Sequence, residues 1–230
     1  MALLDGDHAL LVEAALPVCL RYGLAVTGGY AIKAHGLVDR PSEDIDFATR
    51  HVAPIEEITE SLATAYGQAG FQVRVLNTGG RFGHLDVVLP SGRRYRVDIM
   101  KEPLNHEPAM MSFGPVVALK DVVALKVGAF HDRGVLRDVI DVHAASRLFS
   151  QADLVAMARS VLDEEFRLES LRDQLDRVQM YPDEEFAVYG IDVPQSAAIR
   201  SWAIEWSARL SMELAGAEPW SDDDDRSGDE

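Results

Sequence analysis

The chain has 230 residues, 47% hydrophobic and 26% charged, with a formal net charge of −16, a composition typical of a globular protein with one large or two small cores. Its single cysteine, Cys19, excludes an intrachain disulfide, and no apolar run approaches the roughly 20 residues that a membrane-spanning helix needs, so we expect a cytoplasmic protein without membrane contact. The acidic balance opposes non-specific binding to nucleic acid, because that affinity comes largely from Lys and Arg, and an RNA substrate would need a local basic patch.

The first half of the chain alternates predicted helices and strands. Apolar side chains at helical spacing predict a helix over 8–22, and a short strand over 24–26 leads through two glycines into a second helix over 30–35. Further elements are predicted as a helix over 55–69 and as strands over 45–48, 71–76, 84–89 and 95–100. The turn sequence Leu-Pro-Ser-Gly-Arg at 89–93 predicts an antiparallel hairpin of the last two strands, and therefore a mixed sheet.

From about residue 116 onward the pattern is helical. The predicted helices cover 117–131, 135–149, 151–162, 164–179 and 195–214, and the stretch 103–115 is the predicted linker. We therefore expect an α/β (α+β) fold with a mixed-sheet N-terminal lobe over 1–115 and a helical C-terminal lobe over 116–216. The acidic segment 217–230 has no apolar spacing and is predicted to be a disordered tail.

Two aspartates in one predicted strand form the strongest local motif. Residues 42–47 read Ser-Glu-Asp-Ile-Asp-Phe, and in a strand Asp44 and Asp46 project from the same face because side chains repeat every two residues. Two neighbouring carboxylates repel each other unless a divalent cation or a proton lies between them. Magnesium prefers oxygen ligands and would use such a pair together with substrate phosphates. An isolated Asp-x-Asp motif is more often a solvated strand edge or an acidic turn.

A second motif, Gly28-Gly29, lies where a predicted strand runs into a helix. Glycines there let the backbone approach a ligand closely, and a triphosphate could bind at such a bend. Arg40, between the glycines and the acidic pair, could supply a bidentate phosphate contact. The alternatives are an ordinary tight strand-to-helix turn for the glycines and a surface charge for Arg40.

A third carboxylate, Asp98, lies in the apolar run 97–100, where an ionised side chain is costly unless it is exposed, paired or bound to metal. As a metal ligand it would complete a two-metal phosphoryl-transfer site. The alternative is simple alternation, in which Arg94, Arg96 and Asp98 all face water.

Other charged and ring side chains give weaker signals. The densest positive charge of the predicted N-terminal lobe is a candidate RNA-binding patch, or a charged hairpin that protects a sheet edge, and comprises Arg93, Arg94, Arg96 and Lys101. Three histidines have no paired ligand spacing, so we expect packing or surface roles for His35, His84 and His131.

The first-half motifs resemble the signature of the polymerase-β-like nucleotidyltransferase superfamily, in Gly28-Gly29, Arg40, Ser42 and Asp44-Ile45-Asp46-Phe47. The second half narrows the resemblance to the AbiEii-type abortive-infection toxins, which include the MenT-type transferases. Their later motifs place a helical Lys seven residues before an Arg, and an Arg-Asp or Lys-Asp pair at the start of the next helix. Lys126, Arg133 and Arg137-Asp138 match that spacing, and the resemblance covers about residues 24–145.

The resemblance implies an enzyme that moves a nucleoside monophosphate from a nucleoside triphosphate onto a hydroxyl, with Mg²⁺, or also Mn²⁺, as the metal. The implied metal ligands are Asp44 and Asp46, with Asp98 as the third candidate carboxylate. Lys126 would contact the phosphates, and Asp138 would orient that lysine or the substrate. The other implied nucleotide-binding residues are Gly28, Gly29, Arg40, Ser42, Arg133 and Arg137. A triphosphate beside three carboxylates needs cations nearby, and the Lys and Arg residues of the second block are the local supply.

The relatives further imply a transfer RNA 3′ end as the acceptor, an antitoxin protein as a partner, and Ser42 as a position whose phosphorylation silences the enzyme. This chain departs from many polymerase-β-like enzymes at Tyr30, where those enzymes have a phosphate-binding serine. Two other functions remain open. One is a transferase that modifies a small molecule such as an aminoglycoside, or a protein hydroxyl, and the acidic composition favours a cationic acceptor. The other is a catalytically inactive regulatory module.

Overall fold

The computed structural model describes residues 6–42 and 44–216. The first half contains α1 (Gly6–Tyr22), β1 (Ala25–Val26), α2 (Gly28–Ala34), β2 (Ile45–Thr49), α3 (Ile55–Gln68), β3 (Gln72–Gly79), β4 (Phe82–Val88), β5 (Arg94–Lys101), β6 (Ala109–Met111) and β7 (Gly114–Val116). The second half contains α4 (Leu119–Arg133), α5 (Leu136–Ala145), α6 (Gln151–Leu162), α7 (Leu168–Arg177), α8 (Asp183–Val188) and α9 (Val193–Leu214). Short 3₁₀ turns lie at Asp163–Glu165 and Val178–Met180.

The strands form one seven-stranded mixed sheet in the order β3-β4-β5-β2-β1-β7-β6. The pairs β2/β5 and β1/β7 are parallel and the other neighbours are antiparallel. The predicted hairpin of β4 and β5 is confirmed, as is the mixed α/β fold. Residues that are Cα partners on neighbouring strands, such as β2 and β5, present their side chains to the same face of the sheet.

One face of the β3–β5 region packs against α3, and the other is open. In β4 the side of Gly83, Leu85 and Val87 is buried, whereas Phe82 and His84 point to the opposite, more accessible face. The fit against α3 is close, since a Cβ on Gly83 would overlap Thr59 of that helix. Strand alternation therefore separates a core face from an open face that carries polar and aromatic side chains.

The buried apolar side chains form two clusters. One contains residues between Leu11 and Val122, and the other contains residues between Val123 and Leu210. The change from one cluster to the other within α4 supports our proposal of two lobes that divide near residue 115.

The structure departs from the predicted elements in three places. The predicted linker over 103–115 contains β6 and β7, and β7 joins the main sheet beside β1, a long-range pairing that local sequence does not reveal. The helix predicted over 164–179 begins late, because a 3₁₀ turn ends at Glu165 and Phe166 and Arg167 are extended, and only Leu168–Arg177 is α-helical. The short helix α8 was not predicted.

The predicted acidic tail at 217–230 lies outside the described residues. Within the part of the chain that the structure describes, no helix is long and apolar enough to span a membrane.

Candidate active site

Asp46 of β2 lies directly against the glycine bend. A Cβ on Gly28 would overlap the Oδ2 atom of Asp46, and Gly28 has a φ of +63°, in the left-handed region that favours glycine. The backbone N–H of Thr27 donates to the carbonyl oxygen of Asp46 at 2.9 Å. The bend and the acidic strand are therefore packed together, and only glycine fits at position 28 without moving the carboxylate.

The sheet register brings Asp98 beside Asp46. The two residues are Cα partners on the parallel strands β2 and β5, so their side chains share the open face. Asp98 also contacts its own neighbours on that face: its Oδ1 accepts a hydrogen bond from Arg96 Nε at 2.8 Å and lies 2.8 Å from His84 Nδ1. His84, for which the sequence predicted a packing or surface role, is thus hydrogen-bonded to a candidate catalytic carboxylate.

The pKa of Asp46 is raised above its ordinary value. Burial is the largest cause, and the negative charges of Asp98 and Asp44 add to it, while the positive charges of Lys126 and Arg137 act in the opposite direction. A divalent cation beside these carboxylates would stabilise the ionised form of Asp46, which burial disfavours.

The donor atoms fit a hard cation, since carboxylate oxygens are the ligands that Mg²⁺ prefers. Among residues 6–42 and 44–216, no group of three or more His, Cys, Asp or Glu side chains is arranged to hold a metal ion. Where Mg²⁺ binds beside a nucleotide, one or two carboxylates are the usual protein ligands, and substrate phosphates and water supply the others.

Helices α4 and α5 contribute a buried network of charges. Lys126 Nζ lies 2.8 Å from Asp141 Oδ2 and 3.3 Å from Asp138 Oδ1, and both carboxylates are fully buried. Arg133 completes the network from the solvent side, with its Nε donating to Asp138 Oδ2 at 2.8 Å and half of its side chain exposed. Lys126 is therefore held in a fixed position, close enough to Asp46 for its charge to oppose the rise in the pKa of that carboxyl.

Arg40 is buried within the same network. Its guanidinium donates to both oxygens of Asp141, at 2.7 and 2.6 Å, and Nη1 donates to the carbonyl of Pro41 at 3.1 Å. This bidentate pair joins the segment before β2 to α5, 101 residues later in the sequence. The geometry favours a positioning role for Arg40 over the direct phosphate contact that the sequence suggested.

Asp141 is a residue that sequence reasoning missed. It binds Arg40 and Lys126 at once, although none of the sequence motifs includes it. Its spacing of three residues from Asp138 places both carboxylates on one face of α5, and that spacing was the available signal.

Ser42 and Tyr30 support the loop that carries the acidic pair. A Cβ on Gly29 would come within 2.7 Å of Ser42 Oγ, so the serine packs directly on the glycine bend. The Tyr30 hydroxyl donates to the Ser42 carbonyl at 3.1 Å and lies 2.7 Å from His8 Nδ1. The tyrosine that follows the two glycines thus contacts the loop backbone.

We expect Gly28→Ala to reduce nucleotide transfer strongly, because the added methyl group displaces the Asp46 carboxylate. Gly36→Ala is the matched control: Gly36 also has a positive φ, of +74°, but a Cβ there meets nothing within 4 Å. Both variants carry the same kind of backbone strain, about 1–2 kcal/mol. The melting temperature of each variant should fall. Activity per amount of folded protein should fall for Gly28→Ala only. Equal activities at equal folded fractions would contradict the assignment.

The acid stability of the chain should depend on Asp138. Burial acts to raise the pKa of Asp138, but the charge of Lys126 and the hydrogen bond and charge of Arg133 outweigh it and hold the pKa below the ordinary value of 3.8. Because the folded pKa is the lower one, the ionised carboxylate stabilises the fold above the unfolded pKa, and that stability is lost as the pH falls through the folded pKa. Asp138→Asn should therefore be less stable at neutral pH and lose less stability on acidification. Parallel pH profiles of unfolding free energy for the two proteins would contradict this.

Comparison with known proteins agrees with this geometry. The family model for the nucleotidyl transferase AbiEii toxin, of a type IV toxin-antitoxin system, matches residues 10–225. A search of curated proteins gave no match.

Among solved structures, the chain is similar to MenT4, a nucleotidyltransferase toxin from Mycobacterium tuberculosis H37Rv, with a TM-score of 0.56 and 21% identity over 91% of this chain and 92% of that chain. It is also similar to JHP933 from Helicobacter pylori, with a TM-score of 0.54 and 14% identity over 91% of this chain and 94% of that chain. At these identities the structural likeness shows the fold. The family model covers nearly the whole sequence, and the chain therefore belongs to the AbiEii nucleotidyltransferase toxin family.

Proposed function

We propose that the chain transfers a nucleoside monophosphate from a nucleoside triphosphate to the 3′-terminal hydroxyl of a transfer RNA, with Mg²⁺ or Mn²⁺ bound by Asp44 and Asp46. The observation that carries this proposal is the packing of the Asp46 carboxylate against Gly28, with Asp98 on the neighbouring strand and the Lys126 charge within electrostatic reach. Triphosphate, cation and acceptor could meet at this point of the sheet.

The residues of the N-terminal lobe would bind the cation and position the triphosphate and the acceptor hydroxyl. Asp44 and Asp46 would hold it against the triphosphate, while Gly28 and Gly29 let the backbone of the bend pack directly on Asp46 and Ser42. Asp98 lies on the far side of Asp46 from the bend, where it would orient the attacking hydroxyl. To act as a third ligand it would have to turn from Arg96 and His84 toward the bound cation. When bound, the divalent cation supplies activation of that hydroxyl and neutralisation of the charge on the pyrophosphate leaving group.

The helical lobe would supply positive charge. Its buried network, counted with Arg40, contains three cations and the two carboxylates Asp138 and Asp141, which leaves one net positive charge beside the acidic pair. Asp138 would hold Lys126 in place, while Arg133 and the exposed Arg137 are accessible to contact phosphates. Preorganised positive charge at the phosphates is the main contribution a protein makes to this chemistry.

The biological context follows from the family. The AbiEii description names a toxin-antitoxin system, which supports an antitoxin protein as partner and a cytoplasmic site of action. A phosphate on Ser42 would lie at Gly29, where the triphosphate is proposed to bind, and would block it. The net charge of −16 favours a cationic small-molecule acceptor as the second candidate.

The test is a labelling reaction with each of the four α-labelled nucleoside triphosphates in turn, with Mg²⁺ and either total RNA or an aminoglycoside. We expect label in RNA of transfer RNA size, and no label when the reaction is run with excess EDTA. Periodate-oxidised RNA, which lacks a usable 3′ hydroxyl, is the matched control and should remain unlabelled. Label in the aminoglycoside alone would replace the RNA proposal by the second candidate.

A further inference from the structure

An aromatic pair lies on the open face of the sheet, next to the carboxylates. The rings of Phe82 and His84 are parallel, with an interplanar angle of 4° and centroids 6.3 Å apart, and Phe82 is 46% exposed. His84 is the Cα partner of Asp98, and Asp98 is the Cα partner of Asp46. Adjacent strands are about 4.8 Å apart, so the aromatic pair begins about 10 Å from Asp46 across the sheet.

Arginines flank the aromatic pair on the same face. Arg94, Arg96 and Asp98 occupy every second position of β5 and therefore share one face. The Arg94 side chain is 70% exposed and the Arg96 side chain is 53% exposed. Asp86, which lies 3.5 Å from Arg94, offsets part of this charge, and Arg74 on β3 pairs with Asp86 in register. On β3, β4 and β5, the three arginines Arg74, Arg94 and Arg96 outnumber Asp86 and Asp98 by one charge, although the chain as a whole is acidic.

We propose that this face, defined by Phe82, His84, Arg94 and Arg96, is the docking surface for the unpaired 3′ end of the acceptor RNA. The inference rests on the proposed nucleotide transfer to RNA. Single-stranded RNA is bound by aromatic rings on which bases stack and by arginines that contact the backbone, and an exposed sheet face with paired rings is suited to this.

The proposed docking surface continues into the candidate catalytic carboxylates, so a bound RNA strand would run along it toward Asp46. The side chains of Phe82, His84, Asp98 and Asp46 form a row on the open face. A base stacked on Phe82 would lie at one end of this row, and the acceptor hydroxyl would react at the other end, beside Asp46. Arg96, which donates to Asp98 at 2.8 Å, links the two parts of the row. The bases of a duplex pair and stack with one another and cannot stack on Phe82. The surface should therefore bind an unpaired 3′ end more tightly than a blunt duplex end.

Direct binding is the first test, because it needs neither nucleotide nor metal. The probe is a fluorescently labelled single-stranded RNA of about twelve nucleotides, measured by anisotropy in EDTA. Phe82→Ala should raise the dissociation constant about 5- to 100-fold, the range expected for loss of one stacked base, and Phe82→Trp should restore binding. Leu20→Ala, which removes a 75% exposed side chain from α1, is the control and should bind as the unsubstituted protein does.

The arginine part of the surface has its own readout. Arg94→Ala should reduce the slope of log affinity against log salt concentration by about 0.7, as expected for one lost phosphate contact with a single strand. Arg172→Ala, on α7 in the helical lobe, should leave that slope unchanged.

The transfer reaction separates this proposal from the proposed function. We expect Phe82→Ala to raise KM for RNA while KM for the nucleoside triphosphate stays unchanged. If the unsubstituted protein labels RNA and Phe82→Ala has the same KM for RNA and the same dissociation constant, the docking surface is wrong and the proposed function stands. If the unsubstituted protein labels no RNA, both are wrong.

Discussion

Asp46→Asn should lower the rate of nucleotide transfer about a thousandfold without lowering the melting temperature. The loss follows because a carboxylate that binds a catalytic cation contributes several kcal/mol to transition-state stabilisation. The retained stability follows because burial and the charges of Asp98 and Asp44 disfavour the ionised form of Asp46, as its raised pKa indicates. An uncharged amide of the same shape relieves that repulsion. Initial rates and thermal unfolding of the same preparations measure both effects.

Asp39→Asn is the matched control for this variant. Asp39 lies in the segment between α2 and β2, pairs with Lys33 at 2.6 Å, and is largely exposed. Its loss should change neither rate nor melting temperature appreciably, since exposed ion pairs contribute about 0–1 kcal/mol. Near-normal turnover by Asp46→Asn would show that its carboxylate does not bind an essential cation.

Asp141→Asn should destabilise the fold by about 3–5 kcal/mol, because Asp141 is fully buried and neutralises both Arg40 and Lys126. Removing one partner of a buried ion pair leaves an uncompensated charge in the interior. For a protein of this size, the loss corresponds to a fall in melting temperature of about 6–20 °C. Transfer activity of the remaining folded protein should also fall, since Lys126 and Arg40 both lose a fixed partner.

Asp173→Asn provides the comparison for a surface pair. Asp173 accepts a hydrogen bond from Arg172 at 2.7 Å and is exposed, so its substitution should shift the melting temperature by no more than a few degrees. A double variant, Arg40→Met with Asp141→Asn, should regain part of the lost stability because the unpaired guanidinium is gone. A small effect of Asp141→Asn, similar to that of Asp173→Asn, would mean that the network does not join the two lobes.

Local sequence predicted the glycine bend, which the structure places against Asp46. The period of two predicted Asp44 and Asp46 on one face, and this stays a prediction because β2 begins at Ile45, one residue after Asp44. Turn chemistry at 89–93 predicted the β4/β5 hairpin, because such turns are determined by a few adjacent residues.

Contacts that depend on strand pairing and lobe packing could not be predicted in the same way. His84 becomes the neighbour of Asp98 only through the register of β4 and β5, and Arg40 meets Asp141 only when α5 packs on the N-terminal lobe. The residues next to His84 and Arg40 in the sequence do not indicate these partners. The strands β6 and β7 were missed for the same reason, since β7 is a three-residue strand that pairs with a distant one.

Diffraction from crystals grown with Mn²⁺ and a non-hydrolysable nucleoside triphosphate tests the central claim most directly. The anomalous signal of Mn²⁺ is predicted beside the carboxylates of Asp44 and Asp46, with the triphosphate against Gly28 and Gly29. A triphosphate bound elsewhere, or Mn²⁺ that contacts neither aspartate, would contradict the account.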